Sequence, residues 1–432
     1  MKKRWLLLGC WGVLLIAAPS VTFAQSMEKT SAKLYIQQKE WDKAIEWLQK
    51  ALAKAPEDAQ THFLLGQVYA EKGQLMEMVQ EFELSKKYDT KNKLKKEKKQ
   101  MEDMVRHFSG KNYNEGVEAY KQQNFNLAAV KFLLSTQLDP NYTDAHRNLS
   151  VAYQLVEQEL RKEDPCADCV EGATKWDAQT LQCVDNNTGQ PASKPCCCNK
   201  EALPDLKNKI IATMETVIKL QPDSLVHTLV LAEYYHSHED YANSSALFEQ
   251  ALQKSPGNGK VLARLADTYN IMGKIEEAFK MYDQALMADP ANKDLLYNFG
   301  QMYLNGNDYP NAIIQFKKLV DLDSEDFGAN FYLGVSHLKI AENADKRARD
   351  LQDEASEKKK KPNTAAIDSL KAVEKQHSGE AVPFLEKATQ MQGGDQPAVW
   401  TNLGIAYTRS GDTDKAKAAF DKAEALEKNN NN

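Results

Sequence analysis

Val261–Pro290 reads VLARLADTYNIMGKIEEAFKMYDQALMADP, and its spacing decides the fold. The positions that matter are Leu262, Leu265, Ala266, Tyr269, Ala278, Tyr282, Ala285 and Pro290. Thirty-four residues further on stand Leu296, Phe299, Gly300, Tyr303, Ala312, Phe316, Leu319 and Ser324. Thirty-four residues back stand Thr228, Leu231, Ala232, Tyr235, Ser244, Phe248, Ala251 and Pro256. Apolar residues every three or four positions predict helices, two per unit, each unit too small to bury its own apolar face. Small residues at the Ala/Gly places let paired helices approach, and the large rings fill the gap to the next unit. Proline closes the second helix because it has no N–H to donate and clashes with the preceding turn.

This pattern resembles the tetratricopeptide repeat family, W-x2-L-G-x2-Y, then A-x3-F, then P. The C-terminal copy matches best, through Trp400, Leu403, Gly404, Tyr407, Gly411, Ala416, Phe420 and Ala423. Earlier copies show Ala32, Tyr35, Ala44, Leu48, Ala51 and Pro56; Leu65, Gly66, Tyr69, Gly73 and Phe82; and Gly116, Tyr120, Ala128, Phe132 and Pro140. Nine units begin near Gln25, Ala59, Ser109, Thr143, Leu225, Gly259, Lys293, Phe327 and Pro397. The resemblance implies an all-α, right-handed superhelical solenoid of about nine helix-turn-helix repeats.

Three interruptions break the rhythm. Residues 86–108 are lysine-rich, with Leu94, Met101, Met104 and Val105 as one apolar stripe, and predict a basic helical connection between repeats 1–2 (25–85) and repeats 3–4 (109–224). Residues 157–203 form a cysteine-rich insert in the fourth unit, whose second helix is expected over Leu206–Leu220. After repeats 5–7 (225–326), residues 342–378 form a charged helical hairpin inside the eighth unit (327–396), with Lys358–Lys361 at its tip. The ninth unit and a polar tail complete the chain (397–432).

The chain opens with Lys2, Lys3 and Arg4, an apolar run from Trp5 to Ala18, and Thr22-Phe23-Ala24. That is the pattern of a secretory signal peptide over 1–24, bacterial in style, cleaved after Ala24. The run breaks at Pro19, short of a bilayer span, and an uncleaved anchor or lipidation of Cys10 are the competing readings. The mature chain is expected to be exported, periplasmic or envelope-associated, with no stable membrane span. Its formal net charge, −6 before the basic leader is removed, argues against nucleic-acid binding.

Export gives the cysteines meaning. Cys166, Cys169, Cys183, Cys196, Cys197 and Cys198 all lie in the second insert, and only Cys10 stands elsewhere. In an oxidising compartment an even count predicts disulfides, about 2–4 kcal/mol per bridge. Bonds between the neighbours Cys196, Cys197 and Cys198 would be strained. The rival is a metal- or thiol-handling site, because Cys166 and Cys169 have C-x2-C spacing. Val170 occupies the histidine place of a haem-attachment motif, which removes that reading.

No catalytic set, cofactor motif or metal site is assigned: there is no P-loop, no H-E-x-x-H, and His236 and His238 lie two apart at a helix end. Family resemblance implies a concave groove lined by first helices that binds segments of other proteins. Its lining places here are Phe63, Gln67, Tyr113, Arg147, Glu233, His236, Asp267, Asn270, Tyr297 and Gln301. Lys260 and Arg264 match the third repeat of the family's carboxylate clamp, but Val230 and Val151 stand where that clamp needs asparagine. The expected role is a protein–protein scaffold of unnamed partner, with self-association compatible.

Overall fold

The computed structural model describes residues 18–162, 174–179, 181–185 and 199–430. The chain divides into two compact units, Met1–Asp223 and Ser224–Asn432. Among the described residues there are eighteen helices and one two-stranded sheet.

The first unit contains α1 (Ala18–Gln37), α2 (Trp41–Lys54), α3 (Ala59–Glu71), α4 (Leu75–Tyr88), α5 (Lys95–Lys121), α6 (Phe125–Leu138) and α7 (Thr143–Lys162). Strands β1 (Thr174–Asp177) and β2 (Gln182–Asp185) precede α8 (Asn199–Leu220). Helices pack as consecutive antiparallel-type pairs, α1 with α2, α3 with α4, α5 with α6 and α7 with α8. Leu48, Leu65, Val68, Met78 and Phe82 are the centre of its first core cluster.

The second unit contains α9 (Leu225–Ser237), α10 (Tyr241–Lys254), α11 (Gly259–Ile271), α12 (Ile275–Ala288), α13 (Lys293–Asn305) and α14 (Tyr309–Leu322). It continues with α15 (Phe327–Glu357), α16 (Thr364–Thr389), α17 (Pro397–Ser410) and α18 (Thr413–Asn430). Pairing is again sequential, and each pair packs on the next through contacts such as α10 on α11 and α14 on α15.

Local chemistry fixes the period. Asn258, Asn292 and Asp326 stand thirty-four residues apart and begin α11, α13 and α15. Each accepts a bond from the N–H three residues on, those of Val261, Leu295 and Ala329. A side-chain oxygen there satisfies a donor the helix itself cannot. The turn between paired helices needs one residue with positive φ, filled without cost by Gly273 at 74°. Glu239 and Asn307 hold the same place in the adjoining pairs at 60° and 63°.

Two of the three interruptions differ from the sequence expectation. Residues 86–108 do not form a separate connection. After Tyr88 a short turn is held by Asp89, which accepts from the N–H groups of Lys93 and Leu94. Helix α5 then runs unbroken from Lys95 through Ser109 to Lys121. The stripe explains the fusion, since Met101 is fully buried and Met104 and Val105 pack on the same first core cluster.

The second difference is that the cysteine-rich insert brings strands into a chain expected to be all-α. β1 and β2 pair antiparallel, with Trp176 opposite Cys183. Leu181 and Val184 are buried, and the Trp176 indole donates to Asp205 Oδ2 of α8 at 2.7 Å. Lys209 of α8 donates both to the Ala178 carbonyl and to Asp205. The helices also reach further than expected, α7 to Lys162 and α8 from Asn199 rather than Leu206. Of the six cysteines, Cys183 is placed on β2; Cys166, Cys169, Cys196, Cys197 and Cys198 lie outside the described residues, as does Cys10.

The third insert is the expected helical hairpin, with Lys358–Lys361 in the turn between its helices, and it is continuous with its repeat. α15 and α16 are simply long, 31 and 26 residues, and pack on one another along Ala341, Ala344, Ala348, Ile367 and Ser378. Small side chains along that seam permit close approach of the two helices. Among the described residues, no helix is long and apolar enough to cross a membrane.

Candidate functional site

Three successive first helices of the second unit, α9, α11 and α13, line a cavity of about 720 Å³. Leu229 and Glu233 come from α9, Lys260, Arg264 and Asp267 from α11, and Asp294, Tyr297 and Asn298 from α13. Helical spacing puts residues three and four apart on one face, so each helix offers one polar strip to the cavity.

The strips are joined by a repeated bond. Arg264 donates from Nε to Glu233 Oε1 at 2.7 Å and from its terminal nitrogen to Glu233 Oε2, a two-pronged pair between α11 and α9. One repeat later, Asn298 donates from Nδ2 to Asp267 Oδ1 at 3.3 Å, joining α13 to α11. In both cases the donor stands thirty-one residues after its acceptor, so the repeat has copied one contact with different chemistry. Tyr282 of α12 donates its hydroxyl to Asp267 from the core side.

Burial holds the Asp267 carboxyl above the usual carboxylate range, against the opposing pull of Tyr282, Arg264, His236 and Asn298. Burial likewise pushes His236 below the usual histidine range, helped by the Arg264 charge. The pairing with Glu233 holds Arg264 charged. Of the buried polar atoms without a hydrogen-bond partner among the described residues, three lie on these helices: Thr228 Oγ1 and His236 Nε2 on α9 and Gln301 Nε2 on α13. A buried donor or acceptor left unpaired costs about 1–3 kcal/mol. Lys260 and Asp294, at matching places on α11 and α13, are exposed at the cavity margin.

The structure brings Glu233, Asp267 and Tyr297 together on this lining. His236, Asn270 and Gln301 lie on the same three helices beyond it, half-buried. In the first unit, the Tyr113 ring packs on Tyr142 at 5.0 Å between centroids and its hydroxyl receives a bond from Asn148 Nδ2 at 3.0 Å. Arg147 is exposed and paired with Asp144 at 2.9 Å, and Gln67 is half-buried on α3. Phe63 is corrected: it is 4% exposed, stacked on Phe82 in the first core cluster, and faces no groove. The first-helix period alone placed it, whereas the rotation of α3 turns that position inward. Asn298 and Asp294 were missed, although the thirty-four-residue step from Arg264 and Lys260 leads to them.

The class of protein that the helices define is a helical-repeat protein. Residues 32–73 match the family described as TPR repeat, and residues 262–427 match the Cilia and flagella-associated protein 70 middle TPR-like domain. Each unit therefore contains a stretch similar to tetratricopeptide-type repeats. It is 24% identical over 121 residues to the general transcriptional corepressor trfA of Dictyostelium discoideum, covering 28% of this chain and 9% of that protein. It is 20% identical over 230 residues to Superkiller protein 3 of Schizosaccharomyces pombe (strain 972 / ATCC 24843), covering 53% of this chain and 16% of that protein. The chain thus spans less than a fifth of the length of either curated relative. Among solved structures, YrrB, a TPR protein with an unusual peptide-binding site, is 17% identical and aligns over 49% of this chain and 91% of its own, with a TM-score of 0.38. A MamA crystal structure is also 17% identical, over 47% of this chain and 92% of its own, with a TM-score of 0.36.

Proposed function

We propose that this protein is a non-enzymatic scaffold of the bacterial cell envelope that holds an extended segment of a partner protein against α9, α11 and α13. The observation that carries the reading is the polar ladder Arg264–Glu233 and Asn298–Asp267 across three successive first helices that line one cavity. Such a row matches the evenly spaced carbonyl and N–H groups of an extended chain. The groove is built before the partner arrives, so little ordering entropy is lost on binding. Lys260 and Asp294 at the margin favour a segment carrying both charge signs. Placement in the envelope is supported by the N-terminal basic and apolar run with Thr22-Phe23-Ala24 before the first repeat.

The test is selection of peptides from a random display library on the full chain, followed by titration against wild type, Arg264→Ala and Asn298→Ala. Selected peptides should bind each variant at least about tenfold more weakly, with helical circular dichroism unchanged. Peptides that bind both variants as well as wild type would overturn the groove reading. Export is tested separately by fusing residues 1–30 to a reporter active only outside the cytoplasm.

A further inference from the structure

Away from the groove, three side chains meet where the long α15–α16 arm leaves its repeat. His337 on α15 faces His377 and Glu380 on α16. Their donor atoms form a nearly equilateral triangle: His337 Nδ1 to His377 Nδ1 3.0 Å, His337 Nδ1 to Glu380 Oε2 3.1 Å, and His377 Nδ1 to Glu380 Oε2 3.2 Å. We propose that these three residues bind one divalent transition-metal ion of the zinc class.

Hydrogen bonding alone does not account for the triangle. A proton on one Nδ1 points along one edge only, leaving another edge as two lone pairs in contact. Protons on both nitrogens serve the carboxylate but set two N–H donors 3.0 Å apart. An ion above the triangle meets all three lone pairs together. Zinc bonds to nitrogen and oxygen of about 2.0–2.1 Å set neighbouring ligands about 2.9–3.4 Å apart, which brackets all three edges. Two imidazoles and a carboxylate suit zinc, copper(II) or nickel(II) rather than calcium or magnesium.

The surroundings hold the ligands in place. The His337 ring lies parallel to Phe384, 8° between planes. Gln376 donates to Glu380 Oε1 at 3.0 Å, leaving Oε2 for the ion. Exposure rises across the triangle, from 11% for the His337 side chain to 23% for His377 and 41% for Glu380. The ion therefore enters from the solvent side and keeps coordination positions there for water or a partner's side chain. It would tie α15 to α16 next to the Gly334–Leu385 contact, where the repeat ends and the arm begins.

The experiment is cobalt(II) titration of the full metal-free chain, read by visible absorption, alongside melting with and without equimolar zinc chloride. The expected result is one cobalt with a weak visible band of nitrogen and oxygen ligation, and a melting temperature raised by zinc. Glu380→Gln, which keeps shape, and His377→Ala, at a half-exposed position, should each weaken binding on the order of a hundredfold and abolish the melting shift. Three results would overturn the site: no ion retained, unchanged binding in both variants, or only the strong near-ultraviolet band of thiolate ligation, which would place the metal on the cysteines.

Discussion

Gly300 and Phe316 interlock so closely that a Cβ on Gly300 would stand 2.7 Å from the Phe316 ring. The same sixteen-residue relation recurs at Gly66 with Phe82, Gly116 with Phe132 and Gly404 with Phe420, at 2.5, 2.7 and 2.7 Å. One bare Cα per repeat lets the ring of the second helix lie on the backbone of the first. Where the first helix carries alanine, as at Ala266 opposite Tyr282, both residues are still buried, so the helix pair accommodates the methyl by its own placement.

Gly300→Ala should destabilise the second unit by about 1–3 kcal/mol, because the fully buried Phe316 has nowhere to move. Gly404→Ala should cost less, since Phe420 is 39% exposed and can swing outward. Gly110→Ala, in open space within α5, should stabilise by about 0.5–1 kcal/mol through helix propensity. Urea midpoints of the three variants check the order.

Asp326→Ala removes the oxygen that accepts from the Ala329 N–H at 2.7 Å at the start of α15. The expected loss is about 1 kcal/mol. Asp326→Asn, which keeps an acceptor, should recover most of it; equal losses in the two variants would show that the cap bond is not the cause.

Asp267 should give an unusual pH signature. Its folded pKa is raised, by burial first, above an unfolded value of about 3.9. Between those values the folded state binds more protons, so stability falls as pH rises across that window and levels off above the folded pKa. Asp323 runs the other way: its bond from Lys293 holds it low, and its contribution fades as pH falls. The stability of Asp267→Asn relative to wild type should therefore increase with pH upward from about 4. A flat difference in urea midpoints from pH 3 to 7 would refute the shift.

Asp205→Ala removes the acceptor shared by the Trp176 indole and the Lys209 ammonium. The β1–β2 hairpin should then be cut faster by a dilute protease under non-reducing conditions, while helical circular dichroism stays within a few per cent. Unchanged cleavage would mean that Leu181 and Val184 hold the hairpin without those bonds.

Much of the site was legible because each repeat speaks for its neighbours. Glu233, Asp267 and Gln301 occupy one place in three consecutive copies, and the first two of them line the cavity. The errors came where rotation about a helix axis matters. Phe63 occupies a first-helix place yet faces the core, and Asn298 was overlooked because asparagine has no charge to draw attention in a pattern.

By itself the sequence determined the helix pairs, their thirty-four-residue period and the ring-on-small-residue core. These rest on contacts within one repeat or between adjoining ones, which periodicity and local propensity encode directly. The tertiary structure decided what needs an inter-helix register: the Arg264–Glu233 bond, the fusion of the lysine-rich stretch into α5, and the docking of Trp176 on Asp205. It also decided the meeting of His337 with His377 and Glu380, forty residues apart across two long helices. Their convergence depends on the rotation and offset of packed helices by an ångström or so, which side-chain packing along the whole seam sets and no short motif records.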